Sequence, residues 1–472
     1  MTKKHLILAF TIALAACSAK KTTVNTSVNA SKGDMDFWLT NGDQSALLQQ
    51  QNTVLNFSTT QNGNPTISVN EGQKYQTIDG FGYTLTGGSA SLINKLDSKA
   101  KDSLLNDLFS TRKNGIGVSY LRISIGASDM SADTFTYNDL ANGETDIIQN
   151  RFSIAREMTD LVPILKKILA INPDIKILGS PWSAPTWMKT NNSFKGGSLK
   201  PEYYVSYANY FVKYIKAMKA QGIPIDAITI QNEPLHPGNV PSMYMEAKDQ
   251  AIFIKTALGP VFKSAGIKTK IILYDHNADR PDYPISILND AEVKPYVDGS
   301  AFHLYRGEIG ALSKVHEAHP DKNLYFTEQW VGGPGKFDED LKWHVTTLII
   351  GATRNWSKNV LEWNLAADPQ YGPHTVGGCT TCLGAITVNA AVTKNVAYYI
   401  IGHAAKFVRP GSVRIESDIV SDLQNVAFIR PDGKKVLIVI NDHATAQQFN
   451  IKYDGKFVAT HLAAGSVGTY IW

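Results

Sequence analysis

Apolar and polar positions along the 472-residue chain fall into short β-type runs separated by longer stretches with helical spacing. Eight runs read as strands: IDGFGYTLT from Ile78, YLRISIG from Tyr120, KILGSPW from Lys176, AITIQNEP from Ala227, KIILYD from Lys270, DGSAFHLY from Asp298, NLYFTEQW from Asn323 and NVLEWNLA from Asn359. Amphipathic stretches lie between them. In YYVSYANYFVKYIKAMKAQG, Tyr203, Tyr207, Phe211, Tyr214, Ile215 and Met218 recur at helical spacing, which predicts a helix packed by that face onto a core. Eight strands alternating with helices predict an α/β fold, a (β/α)8 TIM barrel, over 78–402. No repeat at solenoid or propeller periods interrupts this pattern.

The two ends have a different texture. From about Phe407, alternating β-rich runs are broken by Pro431-Asp432-Gly433 and Asp454-Gly455, both turn signals. Residues 403–472 are therefore expected to form an antiparallel β domain. Residues 34–77, with MDFWLT and TVLNFS, are also β-like and could pair with it.

The start of the chain carries an address. Lys3 and Lys4 precede an apolar run from Leu6 to Ala16 that is too short to span a bilayer, the pattern of a signal peptide over 1–16. Leu14-Ala15-Ala16-Cys17 resembles the lipobox of bacterial lipoproteins, which implies lipidation of Cys17 and a membrane anchor. An ordinary secretory signal with a chance cysteine is the alternative. Residues 17–33 are polar, small and aperiodic, as a flexible tether would be. The expected location is the bacterial cell envelope, on either face of the outer membrane.

Composition narrows the class. Apolar residues make up 43% of the chain, enough for a large core. Charged residues are only 19%, while Tyr numbers 20 and Trp 8, which suits a secreted protein handling neutral, ring-shaped ligands. Without Lys3 and Lys4 the 46 basic residues become 44 against 42 acidic, too small an excess for nucleic acid. Beyond Cys17 only Cys379 and Cys382 remain, in GGCTTCLG. Zinc would need two further ligands, so a small disulfide is expected, with two free thiols as the alternative.

Catalytic groups of such barrels sit at the C-terminal strand ends. The fourth run ends in Gln231-Asn232-Glu233-Pro234 and the seventh in Thr327-Glu328-Gln329-Trp330, so two carboxylates face each other across the mouth. Two carboxylates flanking a bond are what glycoside hydrolysis requires. Metal chemistry is the rival, but His303, His316, His319 and His344 lack HExxH spacing, so neither a metal nor a cofactor is expected.

These segments also carry a resemblance. DGFG at Asp79, YLRISIGASDMS at Tyr120, SPWSAPTWMKT at Ser180, GSLK at Gly197, QNEP at Gln231, FHLY at Phe302, TEQW at Thr327 and EWNLAADPQYGP at Glu362 resemble, in order, glycoside hydrolase family 30. That family includes lysosomal glucosylceramidase and endo-β-1,6-glucanases. The resemblance runs from about residue 35 to the end. It implies a (β/α)8 barrel fused to a β-sandwich built from both termini, and retaining hydrolysis with Glu233 as acid/base and Glu328 as nucleophile. It places Arg122 beneath Glu328, holding it ionised with a lowered pKa. It gives Asp129, Trp182 and Asn232 contacts to the sugar, Tyr305 a place by the nucleophile and Trp363 the aromatic floor. Gly87 stands where glucosylceramidase has an Asp, and the loop HTVGGCTTCLG resembles the glucanase branch. Polar loops such as KTNNSFKGG suit a glucan better than a lipid. The expectation is a monomeric, lipid-anchored β-1,6-glucanase, with aromatic walls from Trp182, Trp187, Tyr305, Trp330 and Trp363. A glucosylceramidase-like or xylan-type hydrolase, or a non-catalytic glycan-binding lipoprotein, are the alternatives.

Overall fold

In the computed structural model the eight runs close into a parallel barrel. Its strands are β1 Gly80–Thr84, β2 Tyr120–Ser124, β3 Lys176–Ser180, β4 Ala227–Thr229, β5 Lys270–Ala278, β6 Gly299–Gly307, β7 Asn323–Glu328 and β8 Ser357–Asn364. Residues 1–2, 33–112 and 115–472 are described, and 33–472 make up one compact unit. Cys17, expected to be lipidated, and nearly all of the expected leader and tether lie outside the described residues.

A strand alternates its side chains between faces, so every second residue points into the barrel. The lower inward positions are apolar: Tyr120, Leu178, Ala227, Ile272, Ala301, Tyr325 and Leu361 form one buried cluster, one residue from each of β2 to β8. On β1 the facing residue is Gly82, where a Cβ would stand 1.8 Å from the Tyr120 carbonyl oxygen, so only glycine allows that approach. Outside the barrel the helix Tyr204–Ala220 buries Tyr207, Phe211, Tyr214, Ile215 and Met218, the expected stripe.

Both ends of the chain build the β-sandwich. The strand Asp36–Thr40 runs antiparallel to the last strand, Val467–Ile471. The long strand Thr66–Thr77 pairs with Asn450–Lys452 near its start and with Val413–Ser417 further along, so it belongs to both sheets. Phe37, Ile67, Val69, Leu437, Val439, Phe449, Ile451 and Tyr470 fill the space between, with Phe37 stacked on Tyr470 at 4.6 Å. The helix Val396–Ala405 joins barrel to sandwich. Its buried His403 bridges the Thr40 and Thr469 hydroxyls, each at 2.8 Å, and burial keeps the ring neutral, its pKa pushed down to about 3. This helix runs across the expected 402/403 break, and the sandwich resumes only at Val413. Among the described residues no helix is long and apolar enough to cross a membrane.

Candidate active site

Two residues above the apolar layer, the inward positions become polar: Arg122 on β2, Ser180 on β3, Thr229 on β4, His303 on β6 and Thr327 on β7, with Trp363 on β8. On β5 the inward polar residue comes three places after Ile272. Tyr274 and Asp275 have positive φ, 69° and 63°, and the β5–β6 register shifts there. This bulge turns Asp275 inward.

Asp275 is the hub. Its Oδ2 accepts from Arg122 Nη2 at 2.8 Å, Ser180 Oγ at 2.6 Å and Thr229 Oγ1 at 2.7 Å. Its Oδ1 accepts from Thr327 Oγ1 at 2.6 Å and meets His303 Nε2 at 3.1 Å. Burial pushes this carboxyl up, but Arg122 and His303 more than offset it and hold it well below the usual range. Arg122 is also fully buried. It donates to Glu328 Oε2 at 2.6 Å and to Asn232 Oδ1 at 2.7 Å, with its guanidinium 4.7 Å from the Trp182 ring centre. Buried charges survive this way, each paired and hydrogen-bonded.

Glu328 ends β7, and Tyr305 donates its hydroxyl to Glu328 Oε1 at 2.9 Å. Glu233 lies in the turn after β4 with φ of 46°, a conformation that costs about 1–3 kcal/mol in a side-chain-bearing residue. Its backbone N–H donates to the Asp275 carbonyl at 3.0 Å, which ties the two left-handed residues together. Glu233 Oε1 sits 3.2 Å from His303 Nδ1, and Oε2 accepts from Asn239 Nδ2 at 3.3 Å. An oxygen of Glu233, an oxygen of Glu328 and a nitrogen of His303 all lie within 4.8 Å of one another. These three are the described residues that could hold an ion, but both nitrogens of His303 already face carboxylates.

The electrostatics differ from a simple acid above a nucleophile. Burial raises both carboxyls. At Glu328 the pull of His303 and Arg122 does not fully cancel burial and the charges of Glu233 and Asp275, so its pKa stays raised. At Glu233 His303 wins and the pKa is lowered. The lowered pKa expected at Glu328 from Arg122 is thus not the outcome, because burial and the neighbouring charges of Glu233 and Asp275 outweigh it. His303 itself resists its burial through Glu328, Asp275 and Glu233, and its pKa rises to about 9. Glu233 and His303 therefore hold one proton between them, and it rests on the ring.

A cavity of about 520 Å³ opens above this layer. Glu233, Glu328, Asp129, Trp182, Tyr305, Trp330 and Trp363 line it, all anticipated. Arg122 and Asn232 lie beneath it and do not line it. Trp187 is elsewhere: it sits within the short turn Thr186–Met188, donates to the Asn138 carbonyl and packs on Tyr203. Cys379 and Cys382 form a disulfide at the cavity wall. The Cys379 N–H supports the carboxyl of Asp129, whose pKa burial and the charges of Glu328 and Glu233 raise to about 7. Asp275, His303, Asn239 and His276 escaped the sequence reading. His303 shares the inward parity of Ala301, a signal that could have found it. Asp275 gives none, since the bulge breaks the alternation.

The chain matches the model of the glycosyl hydrolase family 30 TIM-barrel domain over 78–408 and of the family 30 beta sandwich domain over 411–470. An endo-1,6-beta-D-glucanase of Aspergillus fumigatus is 36% identical over 78% of this chain and 78% of its own. The lysosomal acid glucosylceramidase of Mus musculus is 30% identical over 85% of this chain and 82% of its own. Among solved structures, the endo-beta1,6-glucanase BT3312 is 37% identical with a TM-score of 0.85, covering 93% of this chain and 99% of that one.

Proposed function

The chain belongs to glycosyl hydrolase family 30 and is a glycoside hydrolase, and from that premise we propose that it is a retaining endo-β-1,6-glucanase. The observation that carries the chemistry is the approach of the Glu233 and Glu328 carboxylates to within 4.8 Å. Retaining enzymes hold their carboxyls about 5–5.5 Å apart, whereas inverting ones leave about 6.5–9.5 Å for a water. Glu328, oriented by Arg122 and Tyr305, attacks the anomeric carbon. Glu233 delivers a proton to the leaving oxygen, drawing it from His303 Nδ1 at 3.2 Å. Water then releases the sugar from Glu328 while Glu233 takes its proton and passes it back to His303 Nδ1, which restores the resting pair. Asn232 has its Oδ1 occupied by Arg122, which leaves its Nδ2 as its free donor group. Trp182 and Trp363 offer their faces to the CH surface of the ring.

The choice of glucan rests on relatives that carry that activity in their names and on the cavity wall. Apart from its aromatic rings and the disulfide, the wall holds one apolar side chain, Leu235, so it offers no surface for paired alkyl chains. A lipid anchor at Cys17 and a place in the outer membrane complete the proposal, on the strength of the leader alone. The test is hydrolysis of pustulan beside glucosylceramide in detergent. Pustulan turnover with negligible ceramide release is expected. Faster ceramide release, or activity confined to xylan, would overturn the substrate assignment and leave the carboxylate pair untouched.

A further inference from the structure

The cavity has two unlike halves. Asp129, Trp182, Trp330 and Trp363 stand on one side, and groups from the ends of β4, β5 and β6 stand on the other. Glu233 belongs to the second half. A proton donor must lie beside the leaving oxygen, so the departing part of the substrate rests on this side. Most of its polar groups are already engaged or in water. Asn239 donates to Glu233, and Asn277 Oδ1 accepts the Tyr305 backbone N–H at 2.9 Å. His236 and Arg306 are exposed.

His276 is different. It lines the cavity yet is only 6% exposed, and its ring is set between Tyr274 and His303, 5.8 and 6.4 Å away between centres. Neither ring nitrogen has a hydrogen-bond partner among the described residues, and Nδ1 is shielded completely. A buried polar atom without a partner is rare and costly. A shielded N–H is the worse orphan, so the proton belongs on Nε2, the nitrogen with access to the cavity. Burial keeps the ring neutral, its pKa pushed down to about 4, so this tautomer persists through the working range.

We propose that the Nε2–H of His276 donates to a hydroxyl oxygen of the leaving-group sugar, making His276 a residue that selects glycan over alkyl or aryl leaving groups. The inference rests on the glucanase reading and deepens it. A sugar hydroxyl satisfies this donor, whereas an alkyl chain seated there leaves a desolvated N–H unpaired, the arrangement that gives a polar site its discrimination.

The test uses His276→Phe, which keeps a ring and removes both nitrogens, and His276→Gln, which returns a donor. For each, kcat/KM is measured on a β-1,6-linked gluco-oligosaccharide and on an aryl β-glycoside with the same glycone, together with the melting temperature. The ratio of oligosaccharide to aryl turnover should fall about ten-fold in the Phe variant and recover in part with Gln. Melting should hold steady or rise in the Phe variant, because an unsatisfied buried nitrogen is gone. A ratio that stays at the wild-type value, or an equal fall on both substrates with a lower melting temperature, overturns the role. A wild-type enzyme that cleaves the aryl glycoside but no gluco-oligosaccharide sinks the glucanase reading instead, before any variant is made.

Discussion

One barrel holds two interiors built on the same alternation, and they face opposite demands. The lower layer, Tyr120 to Leu361, is apolar and closed. Two residues higher, the strands that give Tyr120, Leu178, Ala227, Ala301 and Tyr325 give Arg122, Ser180, Thr229, His303 and Thr327. Burial of the lower set stabilises the fold at roughly 25 cal/mol per Å² of apolar surface. The upper layer places three carboxylates, Asp275, Glu233 and Glu328, with a guanidinium and an imidazole out of water, and every charge there must be matched by another. The fold is held from below so that the top can keep an arrangement that brings it little net stability.

That contrast predicts where substitutions act. The largest effect belongs to Glu328→Gln. It removes the attacking carboxylate but leaves an amide oxygen for Arg122, so kcat should fall on the order of 10⁴-fold or more while melting shifts little. Steady-state kinetics and calorimetry on one preparation decide it. A variant that loses its fold along with its activity would show the upper layer to be structural, and the contrast would collapse.

The lower layer should respond in the opposite sense. Leu361→Ala leaves a void within a closed cluster and should destabilise by about 2–5 kcal/mol. Activity per folded molecule should be unchanged at temperatures well below melting. Denaturant unfolding with parallel active-site titration separates the two readouts, and lost turnover in a fully folded variant would show that the layers are coupled.

The lower layer is the legible one. Alternation of Val, Ile, Leu and Tyr marks each strand, and period 2 fixes which residues face in, so the barrel can be read directly. The carboxylates were legible too, because each closes a strand in a polar tail. The connections between them were not. Asp275 is inward only because Tyr274 and Asp275 adopt left-handed backbone, which no apolar pattern announces. His303 looked like an isolated histidine because its partners lie 28 and 70 residues away along the chain and meet it only on closure. Trp187 illustrates the converse. It sits in a motif with Trp182, yet the short 3₁₀ turn Thr186–Met188 carries its ring away towards Tyr203.

The smallest effect concerns pH, and it separates the layers most finely. The lower layer holds no charge, so its contribution to stability is flat with pH. In the upper layer His303 is raised from 6.5 to about 9 by Glu328, Asp275 and Glu233. A histidine bound more tightly to its proton in the folded state stabilises fully below its unfolded value of 6.5, and that contribution drains away as pH climbs through about 9. A shift of this size corresponds to roughly 3 kcal/mol. His303 should therefore withdraw stability between pH 6.5 and pH 9, while buried Lys189, its pKa pushed down to about 7, returns some over the same window. His303→Gln cannot titrate, so its change in stability over that window should differ from the wild-type change by about that amount, whatever its absolute stability. Leu361→Ala should keep the wild-type slope at a lower level. Urea unfolding of the three proteins at both pH values supplies the comparison. A His303→Gln curve as steep as wild type would place the titrating proton elsewhere, and with it the proton that Glu233 is proposed to draw upon.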